Sequence, residues 1–586
     1  MHDRSLYFGD NLKVLREKLP GTGLFDLIYL DPPFNSNATY NILFREGLVD
    51  SEAQVAAFED TWHWTRETQA QFTELVTSKA YPERIATLMQ GLEHLIGHND
   101  MLAYLTMMAV RLVELERVLK DTGTLYLHCD PTASHYLKIV MDAIFGKEHF
   151  RNEIIWRRTG AHGKARRFAP IHDVILFYTK TDRYKWKSPK RPYMRGHVKE
   201  YFVWDDKAKA YRTNYYGNVL TGSGIRGGES GKAWRGVDPT AKGRHWAIPG
   251  PLVEEVGEDF SGMTQHQKLD RLYELGYIKI EEGQSWPIYE RFITERDGVA
   301  TPDISAFQPY TNGTVFGTER GIDEDVRWLS PRDQERLGYP TQKPVGLLRR
   351  LIEASTDPGD LVLDPFGGCG TTVDAAEQTG RRWAMIDVTM LAINLVKLRL
   401  ARAFPNTDLA IYIDGVPADL GGARALFEKD PFNFEYWCLD LVNARPSGKK
   451  KKGKMRGPDR GADGVITIID AGRKGAEEYR KVLVSVKGGG VASGDIRDLS
   501  GTVQREKAAG GVFITLRRPS KDMQKEATEA GTFTYHINGQ QYPALQILTV
   551  EAVLHGARPQ LPPVVSYARE AVVAEGDVQV PLDFGK

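Results

Sequence analysis

Short apolar runs that stop abruptly at turn-forming or acidic residues set the rhythm of this chain. Leu6-Tyr7-Phe8 gives way to Gly9-Asp10, and Phe25-Asp26-Leu27-Ile28-Tyr29-Leu30 to Asp31-Pro32-Pro33-Phe34. Far downstream, Leu361-Val362-Leu363 ends in Asp364-Pro365-Phe366-Gly367-Gly368-Cys369-Gly370-Thr371-Thr372. Runs of this length, bounded by turn formers, read as buried strands. Between them lie stretches of helical period. Leu105, Met108, Leu112 and Leu115 recur along a segment from about Arg84 to Lys120 that breaks near Gly97. A strand over Thr124–Cys129 and a helix through Tyr136–Phe145 follow, and a shorter helix runs from Asn11 to Leu19. This alternation predicts an α/β fold with a doubly wound sheet, whose chemistry collects beyond the carboxyl ends of the strands.

Asp31-Pro32-Pro33-Phe34 suits one operation on a nucleobase. An exocyclic amine is a poor nucleophile because its lone pair is delocalised into the ring. Asp31 and the Pro32 carbonyl can each accept a hydrogen bond from such an amine, turning the lone pair toward an electrophile as charge develops on nitrogen. Phe34 can stack on the base once it has been flipped out of the duplex. By itself the tetrapeptide is equally a strand that ends in a Pro-Pro turn.

The glycines after Asp364 let backbone approach a ligand before a helix that starts near Val373. About twenty residues on, Trp383-Ala384-Met385-Ile386 ends in Asp387, an acid placed to bind ribose hydroxyls. There is no GxGxxG, and the loop alone is compatible with an ordinary tight turn.

Together these stretches resemble the S-adenosylmethionine-dependent DNA amino-methyltransferases. With DPPF ahead of DPFGGCGTT, their order resembles the permuted beta class that methylates adenine N6 or cytosine N4. Leu6–Asp10 and Thr341-Gln342-Lys343-Pro344 extend the resemblance, which covers roughly residues 1–415. It implies a Rossmann-like methyltransferase sheet in permuted order, S-adenosylmethionine as cofactor, and double-stranded DNA as partner. Asp31, Pro32, Pro33 and Phe34 become the candidate catalytic set. Asp364, Phe366, Gly368, Gly370, Thr371 and Asp387 become cofactor contacts, with Lys343 at the methionine end. Asp10 either reaches the cofactor adenine or caps the helix after it. The family's usual serine is replaced by Cys369. An acidic first residue in the catalytic motif favours adenine over cytosine as the target. A homodimer and a restriction partner subunit are further expectations of the resemblance.

The chain of 586 residues is long enough for three or four domains. Lys plus Arg and Asp plus Glu both number 77, so no global basic field points to nucleic acid, and any DNA-binding face is local. Three scattered cysteines, no long apolar span and no signal-peptide core at the start give the expectation of a cytoplasmic protein without structural zinc. Trp62 and Trp64, in an insertion from about 46 to 83, read as packing over the active-site rim. From about Arg157 to 335 basic residues interleave with Trp and Tyr, as in Lys185-Trp186-Lys187, Trp234-Arg235 and Arg244-His245-Trp246. That texture suits phosphate binding and base stacking, and the resemblance houses target recognition there, while any single one of these residues reads first as part of a solvated surface with aromatic packing.

The boundaries drawn are 1–157 for the catalytic half, 158–336 for the recognition region, 337–428 for the cofactor half and 429–586 for a smaller α/β domain. This last part resembles the Mrr-like branch of the PD-D/E-x-K nucleases. The resemblance implies Asp463 and Lys487, with Glu435, as a site for Mg2+. Ser485 stands where that family has Glu or Gln, and Asp463 also fits an ordinary Asp-Gly turn. Three readings of this module stay open: an endonuclease that makes the chain a combined restriction and modification enzyme, a non-catalytic DNA-binding part, or a partner-binding part.

Overall fold

The computed structural model describes residues 2–564 apart from 34–37, 47–48, 61–62, 162–165, 207–208, 214–219, 251–252, 254–255, 281–285, 291, 294–296, 331–332, 338, 340, 408, 448–461 and 472–476. Its larger unit comprises residues 1–187, 303–306 and 325–586, and its smaller one 188–302 and 307–324.

A nine-stranded sheet organises the larger unit. In chain order its strands are β1 (Arg4–Phe8), β2 (Phe25–Leu30), β3 (Leu119–Cys129), β4 (Phe150–Arg157), β5 (His172–Thr179), β6 (Ile304–Ser305), β7 (Leu361–Asp364), β8 (Arg382–Asp387) and β9 (Tyr412–Asp414). Across the sheet they run β6-β4-β5-β3-β2-β7-β8-β1-β9. Only β5 is antiparallel to its neighbours. Every residue of β2 and β7 is buried, because helices cover both faces, which explains the apolar runs in the sequence; the one acid inside β2, Asp26, is held by Lys120 at 2.8 Å and by the Leu361 N–H at 3.0 Å. One face packs Leu27, Tyr29, Tyr126 and Val362, and the other Ile28, Leu30, Leu125 and Leu363, the alternation a strand imposes.

Helix α1 (Asn11–Glu17) follows β1, and the long apolar stretch forms two helices, Glu83–Ile96 and α2 (Asp100–Val118), broken at Gly97 with φ +70°. Helix α3 (Pro131–Phe145) is capped by Asp130, and α4 (Val345–Ser355) begins directly after Pro344. Helix α5 (Thr371–Gln378) starts two residues before the expected position, and α6 (Met390–Ala403) follows β8.

The stretch expected from 158 as the recognition region starts inside the larger unit: His172–Thr179 is a central strand of the main sheet, buried at seven of its eight positions, and the smaller unit begins at Ser188. Within that unit Trp234, Trp246 and Trp286 are buried together with Leu220 and Phe260, so these tryptophans form its core, the packing reading of the aromatic residues. A unit of this size needs such a core, and tryptophan supplies more apolar area per residue than any other side chain.

The carboxyl-terminal part of the larger unit carries a five-stranded sheet, β10 (Arg445–Pro446), β11 (Gly464–Ala471), β12 (Glu477–Lys487), β13 (Gly510–Thr515) and β14 (Leu545–Thr549), paired in that order. Cys129, Cys369 and Cys438 are free and buried. Among the described residues no helix is long and apolar enough to cross a membrane.

Candidate active site

Sheet topology explains how motifs 330 residues apart come to share one edge. From β2 the chain builds outward through β3, β5 and β4; from β7 it builds the other way through β8. β2 and β7 are parallel neighbours, so Asp31 and Asp364 emerge side by side. A crevice at such a reversal is where open α/β sheets bind ligands. A cavity of about 290 Å³ lies there, walled by Gly9 and Asp10 after β1, Asp31 to Pro33 after β2, the Asp364 loop after β7 and Asp387 after β8.

Asp31 forms an ion pair with Lys343, Nζ to Oδ2, at 2.5 Å, and Lys343 is 6% exposed. Its other oxygen takes no hydrogen bond from the described residues. Lys343, expected at the methionine end of the cofactor, lines the cavity and contacts the candidate catalytic acid directly; the same Nζ also donates to the Thr341 carbonyl at 3.3 Å. Pro32 is buried and Pro33 half-buried beside it. Phe34 lies outside the described residues.

The loop after β7 is folded by its own polar groups. Asp364, 3% exposed, accepts the Phe366 N–H at 3.1 Å. Burial pushes its carboxyl up to about 7, against the pull of that N–H and of the Thr372 hydroxyl. Gly368 (φ +50°) donates its N–H to Asp387 Oδ2 at 2.9 Å, and Gly370 (φ +75°) donates to the Gly367 carbonyl at 2.9 Å. A Cβ on Gly370 would sit 2.6 Å from Val396, and one on Gly368 would crowd Tyr339 at 3.3 Å. The glycines are therefore demanded by φ and by space together. Asp387 also accepts the backbone N–H and hydroxyl of Thr389, both at 2.8 Å. Burial nevertheless holds its carboxyl above the usual range. Thr371 is buried with its hydroxyl 3.6 Å from Cys369 Sγ, and the Cys369 carbonyl is held by Arg399 at 2.8 Å.

Asp10 does cap α1, accepting Lys13 N–H at 3.0 Å, and its second oxygen pairs with Arg111 at 2.6 Å. Arg111, from α2, also donates to Asn11 Oδ1 at 2.5 Å, and Asn11 donates to the Pro365 carbonyl at 2.8 Å. This clamp ties the β1 loop to the β7 loop. The sequence reading passed over Arg111 because it sits in an amphipathic helix with nothing local to set it apart.

Nor did that reading find the buried row behind Asp31. Tyr29 hydroxyl meets His128 Nδ1 at 2.8 Å, His128 Nε2 meets Asp173 at 3.1 Å, and Asp173 pairs with Arg158 at 3.1 Å. His128 is wholly buried and Tyr29 is a wall of the cavity. Burial alone would raise the Asp173 carboxyl, but His128, Lys343 and Arg158 bring it below the usual range.

At the carboxyl-terminal site, Asp463 Oδ2 accepts the Val486 N–H at 2.6 Å, and Lys487 Nζ lies 3.7 Å from Asp495. Ser485 is buried. Among the described residues no group of three or more His, Cys, Asp or Glu side chains converges at Asp463, Glu435 or elsewhere.

Residues 25–397 match the family model described as DNA methylase, of the N6 and N4 type. The chain belongs to the DNA methylase family. Residues 448–554 match a second model, described as NACHT-associated inactive Restriction Endonuclease 1. Among curated proteins this DNA methylase is 30% identical over 302 residues to the Type II methyltransferase M.EcaI of Enterobacter cloacae, covering 51% of the chain and 58% of that protein. It is 26% identical over 380 residues to the Mod subunit of the Type III restriction-modification enzyme StyLTI of Salmonella typhimurium, covering 63% of the chain and 48% of the subunit. Over 126 residues, 21% of the chain and 42% of the relative, it is 36% identical to the DNA adenine methyltransferase YhdJ of Escherichia coli. The chain thus spans about half the length of these relatives.

Proposed function

We propose that this DNA methylase moves the methyl group of S-adenosylmethionine to the exocyclic amine of a base flipped out of double-stranded DNA, with adenine N6 as the amine. The observation that carries this is the meeting of the Asp31-Pro32-Pro33 loop and the glycine loop in one cavity, although 330 residues separate them.

The residues present fit such a cofactor. Gly368 and Gly370 form a turn that any Cβ would crowd, and three carboxylates, Asp31, Asp364 and Asp387, wall the cavity. Carboxylates held in a partly dry site favour a ligand that bears positive charge. S-adenosylmethionine supplies, when bound, a methyl group made electrophilic by a sulfonium. The glycine loop and Asp387 would hold it, with Arg111 steadying Asp10 against the same cavity.

Asp31 and the Pro32 carbonyl then accept the two N–H bonds of the target amine. Lys343 fixes one Asp31 oxygen in place and leaves the other to face the base, so the acceptor is set before the amine arrives. Adenine is favoured by the acid at the head of the motif and by the similarity to an adenine methyltransferase. Phe34 stacks on the flipped base in this reading. The similarity to a Mod subunit makes a restriction partner subunit part of the proposal.

For the carboxyl-terminal module we propose a non-cleaving role. Its match is to a family described as inactive, its Asp463 accepts a backbone N–H, and among the described residues no group of three or more His, Cys, Asp or Glu side chains converges to hold Mg2+.

The test is methyl transfer to unmethylated plasmid DNA from labelled S-adenosylmethionine, followed by nucleoside chromatography. N6-methyladenine should form, and Asp31→Ala should abolish transfer while cofactor binding largely survives. Robust residual methylation by Asp31→Ala would reject the assignment, and N4-methylcytosine would move the target to cytosine.

A further inference from the structure

The connection between β4 and β5 lies on the catalytic edge of the sheet. β4 is antiparallel to β5, and β5 to β3, so the end of β4 at Arg157 and the start of β5 at His172 point the same way as Asp31. Neighbouring strands lie about 4.8 Å apart, and β3 alone stands between β5 and β2, so β5 begins about 10 Å from the strand that carries Asp31.

The neck of this connection is held firmly. Arg158 N–H donates to the Ile171 carbonyl at 2.9 Å, the Arg158 guanidinium pairs with Asp173, and the Arg157 guanidinium lies 5.2 Å from the ring centre of Trp328. From 157 to 171 the sequence has five Arg or Lys residues and no Asp or Glu. Arg157 and Arg158 are spent on the neck. Beyond it Arg166, Arg167 and Phe168 are exposed, and Phe168 is so to 101%. None of these three side chains has a partner among the described residues.

A phenylalanine held wholly in water between the neck and two arginines without a partner among the described residues does nothing for this fold, since it buries no area. Its surroundings point to a partner that carries dense negative charge and offers an apolar slot. Duplex DNA does both once a base has left the stack: the phosphates flank a gap lined by base faces. Phenylalanine is among the side chains that enter such gaps, and extrusion is easier when the space is filled.

We propose that Phe168 enters the base stack of duplex DNA as the target base is extruded, with Arg166 and Arg167 on the flanking phosphates. This rests on the reading of the chain as a base-flipping DNA methyltransferase. It adds an element that lies outside the smaller unit and outside the motifs that hold the amine and the cofactor.

The test uses the full chain. The methylated position is first mapped on plasmid DNA modified by the wild type, and short duplexes with that site are made in two forms: the target base normally paired, and the target base opposite an abasic position. In single-turnover methylation, Phe168→Ala should be slower than wild type by about tenfold or more on the paired duplex, about 1.4 kcal/mol of barrier. On the abasic duplex, where no pairing opposes extrusion, it should come within about threefold. Phe168→Trp should keep the paired rate. Replacing Arg166 and Arg167 together by Ala should lower the slope of log affinity against log salt by about two, one for each phosphate contact.

Equal slowing of Phe168→Ala on both duplexes, or no slowing on either, overturns the wedge. An unchanged salt slope overturns the placement of the arginines. A wild type that methylates no DNA overturns the parent reading and the wedge with it, and is distinguishable because it appears before any variant is made.

Discussion

Asp364 offers a sharp test of how this site is poised. Its carboxyl is buried between two strands and the glycine loop, and burial lifts it to about 7 from an ordinary 3.8. In the unfolded chain the group ionises near its ordinary value. The stability it permits is therefore fully present below about pH 4, is lost progressively as pH rises, and stays lost above about pH 7. A difference of about three pH units, at 1.36 kcal/mol each, corresponds to about 4 kcal/mol by pH 8 as an upper bound. Asp364→Asn removes the charge and keeps the shape. Its amide oxygen can still accept the Phe366 N–H, and the Thr372 hydroxyl can turn to accept from the new NH2.

Ligand-free Asp364→Asn should thus be more stable than wild type at pH 8, by about 2–4 kcal/mol, with the gain shrinking toward pH 5. Urea unfolding across this range is the assay. The binding prediction runs the other way. A cationic cofactor favours the ionised carboxylate, so wild-type affinity for S-adenosylmethionine should rise between pH 6 and 8, with proton release in calorimetry. The Asn variant should bind more weakly and with a flatter pH profile. An Asn variant no more stable than wild type at pH 8, or a wild-type affinity that is flat across this range, would refute the reasoning.

Two further outcomes follow from named contacts. Arg111→Met removes the cation that holds Asp10 and Asn11 against the Pro365 loop; S-adenosylmethionine affinity should fall about tenfold by equilibrium dialysis, about the worth of one charge-assisted hydrogen bond. In the carboxyl-terminal sheet, burial would raise the Asp470 carboxyl, but Arg480 at 2.6 Å and His536 at 2.8 Å pull it down to about 2. Its contribution is present above about pH 4 and lost as pH falls through about 2. Asp470→Asn should accordingly cost about 2–3 kcal/mol at neutral pH, read by urea unfolding, and flatten the acid limb.

The site divides cleanly into what local sequence can and cannot encode. The sequence by itself determined the strands over 25–30 and 361–364, because a strand buried on both faces is apolar on both and takes a polar side chain only where a partner meets it. It determined the glycine loop too, because Gly368 and Gly370 hold backbone angles that other residues adopt only with strain. It also carried the family, through the order of the two motifs.

Tertiary structure decided what those motifs touch. Lys343 meets Asp31 across 312 positions, Arg111 reaches Asp10 from a helix a hundred residues away, and His128 joins Tyr29 to Asp173 between three strands. A charge or ring nitrogen carries no sequence signal of its future partner, since pairing depends on which strands become neighbours. The same holds for Trp234, Trp246 and Trp286: beside basic residues in the sequence they suit either packing or base stacking, and the core of the smaller unit claims them. Spacing records the backbone's demands because these are local. Which aromatic is buried and which acid is paired is settled by contacts that exist only after the chain has closed its sheets.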